Sequence, residues 1–509
     1  AAGDPPAAAD PTSDPAPLNF EPRPSSGDVP VLRHFPADAG APPRPRPAAA
    51  HRQGDQPPDD YLYFSAFEFA DILNWSGVTF KRVPGPCKDL LRDLGNEAAH
   101  AAATGDHDSI KALIMFARVV MFVPIKTRSK PTTITRGRLL RWQKGEFAGL
   151  HAELKEYEDA FAKRKVNLGP MDDETRERKV YKQVDVGEVS RARQTAMPSA
   201  PFSGNYEQIL DLFPPKPANE PDAVPPPQDV AVPDCDPKFF FKTLCGQSRG
   251  TTQTACGWHT DILKDVNVAP KSEADDPLFG FRCFSIAFAS GTLPISPELY
   301  SLLAGSKLVA LEKDDGKPRP VGITGVFHRI GMAALIKQNA DLLAQHFGLQ
   351  CEHGTGVGGV CQKLAWVFKL ACEKVPEGIA LWADISNGFN SMRRSAIAEG
   401  LAAMPVELQW LRKSFHAFYS GPVPMFFNRG PAVSGIIQCV VGSMQGDPAS
   451  GIWFNAGLQK AFNQLRAEFP EVLLAKYYDD VNGFIHPAED GTVRTCRTSE
   501  ARAESFDGC

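Results

Sequence analysis

The sequence has no Cys-x-x-Cys pair, although its 509 residues include eleven cysteines. The nearest approach to a zinc pattern is Cys245, Cys256 and His259, and their spacing matches no standard ligand set. We therefore predict ordinary reduced thiols, which are typical of intracellular proteins.

The sequence also lacks a long apolar run. Its longest apolar stretch, ALIMFARVVMFV over 112–123, is too short to cross a bilayer and contains Arg118. No basic-then-apolar leader opens the chain, so we expect no secretory signal. These absences predict a soluble, intracellular protein with no membrane partner.

Positive charge is not in excess. The 55 Lys and Arg residues are outnumbered by 60 Asp and Glu residues, which gives a formal net charge of −5. This balance argues against a uniformly basic nucleic-acid-binding coat. It does not exclude a basic groove, because binding depends on where the charges lie.

Proline, in contrast, is abundant, with 45 residues against a usual share of about 5%. The Pro-rich and polar segments predict disorder, because they bury too little apolar surface to offset chain entropy. They divide the chain into five predicted segments: a disordered segment (1–58), a mainly helical N-terminal module (59–200), a Pro-rich linker (201–237), a mixed segment (238–486) and a polar, disordered tail (487–509).

The N-terminal module contains a basic stretch, IKTRSKPTTITRGRLLRWQKGEF over 125–147. It has seven Lys and Arg residues between Lys126 and Lys144, no acidic residue among them, and Trp142. A basic stretch with an aromatic residue is typical of a phosphate-backbone contact, and Arg138 and Trp142 are our candidates for it. A solvated helix face is an equally good interpretation of the same pattern.

Two apolar runs of the mixed segment end in acidic residues. AKYYDDVNGFI predicts a β-hairpin with Asp479 and Asp480 at its tip. GIALWADISNGFN predicts a buried strand with Asp384 at its carboxyl end. Carboxylates that meet at one sheet edge suit Mg²⁺, and two such ions could activate a 3′-hydroxyl and stabilise a leaving pyrophosphate. A hairpin with two exposed acids and no metal is the alternative.

The order of the motifs resembles that of reverse transcriptases, especially those of non-LTR-type retrotransposons. In that family a K-x-x-G-x-x-R-P-I type run precedes D-x-x-x-x-F/Y, Q-G-x-P-x-S and F/Y-x-D-D. The corresponding residues here are Lys313 to Arg319, Asp384 to Phe389, Gln445 to Ser450 and Tyr477 to Asp480. The resemblance covers about 240–486 and implies an α+β fold, with right-hand polymerase fingers and palm after a mainly helical extension.

The resemblance also implies roles for single residues. Asp384, Asp479 and Asp480 would be the catalytic acids that bind two Mg²⁺ ions, with Mn²⁺ as a possible substitute. Lys313 and Arg319 would bind the triphosphate, and Phe389 would exclude a 2′-hydroxyl. Gln445 and Gly446 would contact the nascent base pair, and Tyr478 would contact the primer end. The implied partners are an RNA template, a DNA primer and deoxynucleoside triphosphates, and the implied location is the nucleus.

A glycine-rich run, GTGVGG, contains a formal G-x-G-x-x-G that begins at Gly354. A dinucleotide-binding turn needs an apolar strand before its first glycine, and FGLQCEH is a poor strand. We therefore expect Gly354 to lie in a loop that faces the template.

The sequence departs from the family after the YYDD motif. The remaining residues, HPAEDGTVRTCRTSEARAESFDGC, are polar and show no helical stripe, so we expect the thumb to be absent and the chain to be truncated. Two alternatives to an active reverse transcriptase stay open: a catalytically inactive nucleic-acid-binding relic and an RNA-dependent RNA polymerase. The oligomeric state is not predicted.

Overall fold

A computed structural model describes the helices, the strands and most of their connections. The described residues are 59–73, 78–124, 128–162, 173–185, 195–196, 206–220, 230, 233–247, 256–272, 275–313, 316–347, 360–428, 433–470, 472–477 and 480–485. The two terminal segments that we predicted as disordered, 1–58 and 487–509, lie outside these residues, as does Gly354.

Helices make up most of the described chain, and those before the first strand are α1–α11. Their bounds are Phe69–Leu73 (α1), Lys88–Ala102 (α2), His107–Met121 (α3), Pro131–Gln143 (α4), Phe147–Ala162 (α5), Asp173–Asp185 (α6), Tyr206–Leu210 (α7), Pro237–Gly246 (α8), Thr260–Val266 (α9), Phe279–Ala289 (α10) and Pro297–Leu303 (α11). Residues 103–106 separate α2 from α3. Asp106 caps α3 by accepting a hydrogen bond from the Ser109 N–H at 2.8 Å.

Strands and helices alternate in the second half of the chain. Their bounds are Ser306–Glu312 (β1), Pro318–Ile323 (β2), Val326–Gln338 (α12), Ala340–Phe347 (α13), Val360–Lys374 (α14), Ile379–Asp384 (β3), Gly388–Ser391 (α15), Arg394–Ala402 (α16), Gln409–Tyr419 (α17), Val423–Asn428 (β4), Val433–Cys439 (β5), Ser450–Glu468 (α18), Val472–Tyr477 (β6) and Asp480–Ile485 (β7). The mixture of helices and small sheets agrees with the predicted α+β class.

The helices on either side of the linker share one hydrophobic core. Trp258 is fully buried, stacks on Phe116 of α3 at 5.7 Å between ring centroids, and donates its indole N–H to the Leu113 carbonyl at 2.7 Å. In the next layer the Asn96 side chain of α2 accepts from the Phe281 N–H of α10 at 3.2 Å. The predicted segment boundaries stay predictions, but α2 and α3 pack directly against the later helices.

The described strands of the second half form two sheets. The first has the strand order β2-β1-β4-β5, in which β1 is antiparallel to β2 and parallel to β4. The second has the order β3-β7-β6 and is antiparallel throughout. The predicted hairpin is confirmed as β6 and β7, and its two-residue connection, 478–479, lies outside the described residues.

Strand β3 is not buried, and our prediction of a buried strand is wrong. Trp382 is 74% exposed and Leu381 is 48% exposed, and these consecutive side chains occupy opposite faces of the strand. The apolar run therefore reflects β-strand propensity, since the described residues cover neither face completely.

Among the described residues, no helix has the length and apolar character needed to cross a membrane.

Candidate active site

Two of the predicted acids are brought together by strand register. Asp384 is the last residue of β3 and Asp480 is the first residue of β7, and the two are register partners. The Cα atoms of partners in antiparallel strands lie about 4.5–5.5 Å apart. Asp480 is also the partner of Tyr477 across the hairpin. Tyr478 and Asp479, which come between them in the sequence, lie outside the described residues. The side chain of Asp384 is exposed, so it is accessible to a ligand.

The chain turns sharply after Asp384 and places Phe389 beside α18. Asn387 adopts a left-handed conformation with φ of 53°, and the half-buried Phe389 ring lies 5.0 Å from the Phe454 ring. The Phe389 carbonyl accepts a hydrogen bond from the Ser443 N–H at 2.9 Å. This bond joins the segment after Asp384 to the segment that carries Gln445.

Gln445 and Gly446 form a tight turn against β2. The Gly322 N–H of β2 donates to the Gln445 carbonyl at 2.7 Å. Gly446 has φ of 108°, and a Cβ at this position would lie 2.2 Å from the Gly322 carbonyl oxygen. Only glycine tolerates both this conformation and this contact. The turn therefore sits directly on the strand that also carries Arg319.

Lys313 and Arg319 lie in the β1–β2 hairpin. The hairpin is closed by Lys313, whose N–H donates to the Lys317 carbonyl at 2.8 Å, and Arg319 is the register partner of Leu311. Both side chains are exposed, and neither pairs with a carboxylate among the described residues. Their positive charges are therefore available to an anionic ligand.

Arg138 and Trp142 are not surface residues, and their burial does not fit the predicted contact with primer or template. Arg138 is 4% exposed, donates twice to Glu153 Oε1 at 2.6 and 2.9 Å, and lies 3.4 Å from the centroid of the Phe122 ring. Burial lowers the pKa of Arg138, and the Glu153 carboxylate opposes this effect. Trp142 packs edge-on against Phe116 at 4.9 Å. Both side chains stabilise the N-terminal helices.

Other cations of the basic stretch do face solvent. Arg136, Leu140 and Lys144 follow one another at four-residue spacing and are exposed, so they share one side of α4 and its C-cap. Within the described chain no carboxylate pairs with Arg136 or Lys144, or with the exposed Arg128 and Lys130 that precede the helix. We call these four residues, Arg128, Lys130, Arg136 and Lys144, the α4 basic face.

A cleft of about 1140 Å³ lies away from the predicted acids. It runs between α11 and the β4–β5 hairpin, and its lining includes Glu298, Pro424, Phe426 and Ile436. None of the residues that line it belongs to the predicted site. Among the described residues no three possible metal ligands cluster, and Asp479 is outside that set.

The chain resembles a known protein over about half of its length. No protein-family model matches the chain. Over 268 residues, which are 52% of the chain, it is 24% identical to the Retrotransposable element SLACS 132 kDa protein of Trypanosoma brucei gambiense. The match spans 21% of that protein's length, about a fifth. The chain is thus distantly similar to a retrotransposable-element protein.

Proposed function

We propose that this chain is the core of an RNA-directed DNA polymerase of a retroelement, which adds deoxynucleotides to a primer 3′-end on an RNA template. The observation that carries the proposal is the register of Asp384 opposite Asp480 at the tip of the β6–β7 hairpin. The four motifs and the distant similarity to a retrotransposable-element protein support it. By analogy with the family, the proposal includes a nuclear location.

The residues at the hairpin tip fit a divalent metal ion. Mg²⁺ prefers oxygen ligands and a few carboxylates, and Asp384 is an exposed carboxylate whose register partner in β7 is another acidic residue. Asp384, Asp479 and Asp480 would hold two ions, Mg²⁺ or Mn²⁺. When bound, such ions lower the pKa of the attacking hydroxyl and stabilise the charge on the leaving pyrophosphate.

The remaining residues act on the nucleotide and the nucleic acid. Lys313 and Arg319 bind the triphosphate, for which the planar fork of an arginine is well suited. The Gln445–Gly446 turn contacts the nascent base pair, and Phe389 closes the pocket below the sugar. Tyr478 and Gly354, both outside the described residues, complete the proposal as contacts of primer and template.

Primer extension tests the proposal directly. The purified chain is given poly(rA) with an oligo(dT) primer and Mg²⁺ or Mn²⁺, and it should incorporate dTTP but not dGTP. The same protein on poly(rC) with oligo(dG) should reverse that preference, and EDTA should stop both reactions. Incorporation that does not follow the template would contradict the proposal. No incorporation with any metal would also contradict it and would favour the inactive relic.

Phe389 decides between deoxyribonucleotide and ribonucleotide substrates. In an active preparation, Phe389→Ala should raise the incorporation of ribonucleotides relative to deoxyribonucleotides about tenfold or more, because removing the ring makes room for the 2′-hydroxyl. Phe389→Tyr keeps the ring and should keep the discrimination. Wild-type protein that prefers ribonucleotides would instead indicate an RNA-dependent RNA polymerase.

The α4 basic face should contribute to RNA affinity. Arg136→Gln combined with Lys144→Gln should weaken binding of a single-stranded RNA in fluorescence anisotropy. The slope of log K against log salt should become shallower by about 0.7 for each phosphate contact that is lost. Lys155→Gln on α5 removes another exposed charge and should change neither value. Identical slopes for all variants would show that this face does not touch the RNA.

A further inference from the structure

A buried aspartate lies under the Gln445–Gly446 turn. Asp447 is 5% exposed, and its Oδ1 accepts from the Ala449 N–H at 2.9 Å. Its Oδ2 accepts from the Tyr419 hydroxyl at 2.8 Å. A buried carboxylate persists only where it is paired and hydrogen-bonded, so each of these donors offsets part of the cost of removing the charge from water.

Tyr419 connects Asp447 to the other end of the same turn. Its hydroxyl donates to Asp447 and also accepts from the Met444 N–H at 3.3 Å. The Asp447 N–H in turn donates to the Met444 carbonyl at 3.0 Å. The Tyr419 hydroxyl thus bonds to both Met444 and Asp447, and Gln445 and Gly446 lie between these two residues.

His328 lies on the remaining side of the Asp447 carboxylate. Its Nε2 lies 3.4 Å from Asp447 Oδ1, and its ring centroid lies 4.4 Å from that of Phe418. Burial acts to raise the pKa of Asp447. His328 and the hydrogen bonds from Ala449 and Tyr419 outweigh this effect and keep the pKa of the carboxyl group below its usual value. Burial also raises the pKa of Tyr419 far above its usual value, so this hydroxyl stays a donor.

The upper side of the turn is held by β2 through the bond from Gly322 to the Gln445 carbonyl. The turn is therefore clamped between a strand that carries Arg319 and a buried polar cluster. Neither Asp447, Tyr419 nor His328 is exposed enough to touch a substrate, because all three are at most 5% exposed. Their effect on a ligand has to pass through Gln445 and Gly446.

We propose that Asp447, together with Tyr419 and His328, positions the Gln445–Gly446 turn for the incoming nucleotide and the templating base. The three are positioning residues, and their role in catalysis rests on the proposed polymerase function. Without the carboxylate, the turn loses the contacts of Asp447 with the buried cluster and shifts relative to β2. Nucleotide affinity then falls more than the rate of the chemical step.

Steady-state kinetics of Asp447→Asn measure this role. The variant should raise the KM for the incoming deoxynucleotide about tenfold, the effect of one lost hydrogen bond, while kcat changes less than about threefold. Tyr419→Phe should shift KM in the same direction. Ser414→Ala is the matched control, since its buried hydroxyl on the same helix donates to the Ala289 carbonyl at 2.6 Å and does not contact the turn. It should lower the melting temperature but leave KM unchanged.

Hydrogen–deuterium exchange on the same proteins gives a readout that does not need activity. Peptides covering 318–323 and 443–450 should exchange at least about tenfold faster in Asp447→Asn than in wild type, and at the wild-type rate in Ser414→Ala. Unchanged exchange in these peptides, or unchanged KM despite a lower melting temperature, would overturn the positioning role. If Asp447→Asn exchanges faster as expected but the wild-type protein shows no polymerase activity, the proposed function alone is refuted.

Discussion

Asp384→Ala should lower the rate of primer extension about 10³-fold, the loss expected when a charged metal ligand is removed. Asp384 ends β3, opposite Asp480 in the neighbouring strand, so it is the predicted acid whose position in the fold is best described. Because its side chain is exposed, removing the carboxylate should change the free energy of unfolding by at most about 0.5 kcal/mol.

The control for Asp384→Ala lies next to the other end of the same strand. Glu377 is an exposed acid just before the other end of β3, and Glu377→Ala should retain full extension activity. Single-nucleotide addition, measured by gel at saturating dTTP, separates the two variants. Equal rates for wild type, Asp384→Ala and Glu377→Ala would exclude Asp384 from the chemistry.

Arg394→Ala should destabilise the fold by about 4 kcal/mol, the largest effect that we expect away from the acids. The buried Arg394 guanidinium donates to four carbonyl groups at 2.7–3.0 Å, those of Tyr419, Gly421, Cys439 and Gly442. Tyr419 and Cys439 end α17 and β5, Gly421 lies just before β4, and Gly442 lies in the segment before Gln445. Without the guanidinium, buried acceptors lose their donor, and each costs about 1–3 kcal/mol.

Urea unfolding measures this effect. Lys460→Ala is the control, because the Lys460–Glu399 ion pair at 2.8 Å joins two exposed side chains and its loss should cost about 1 kcal/mol or less. Arg394→Lys should recover only part of the stability, since one ammonium group cannot reach four carbonyls in the geometry of the guanidinium fork. A loss near that of Lys460→Ala would show that the four hydrogen bonds are weak or replaceable.

Local sequence patterns were sufficient to predict several elements. The apolar run of GIALWADISNGFN became β3, and the apolar–polar–apolar pattern of AKYYDDVNGFI became the β6–β7 hairpin. These elements depend on neighbouring residues, so their propensity is visible in the sequence. The register that pairs Asp384 with Asp480 depends on two strands about a hundred residues apart and became visible only in the fold.

The burial of Arg138 and Trp142 in the basic stretch could have been predicted from the sequence. Thr135, Arg138, Leu139 and Trp142 are all buried, and their spacing is that of one helix face. This periodicity places Arg138 on the buried face, where it donates to Glu153, and places Arg136 and Lys144 on the exposed face.

The buried cluster under the Gln445–Gly446 turn could not have been predicted. Asp447 lies within the quoted motif, but its partner Tyr419 is 28 residues away and the surrounding sequence gives no reason to pair them. Tertiary packing alone brings these groups to hydrogen-bonding distance.

Binding of Mn²⁺ tests the central claim, that the acids at the hairpin tip form a metal site, most directly. Electron paramagnetic resonance of free Mn²⁺ is measured while wild type, Asp384→Ala, Asp479→Ala and Glu377→Ala are titrated with the ion in the presence of primer, template and nucleotide. Wild type and Glu377→Ala should remove Mn²⁺ from solution with the same affinity, and both aspartate variants should bind it at least about tenfold more weakly. Equal Mn²⁺ binding by all four proteins would contradict the account.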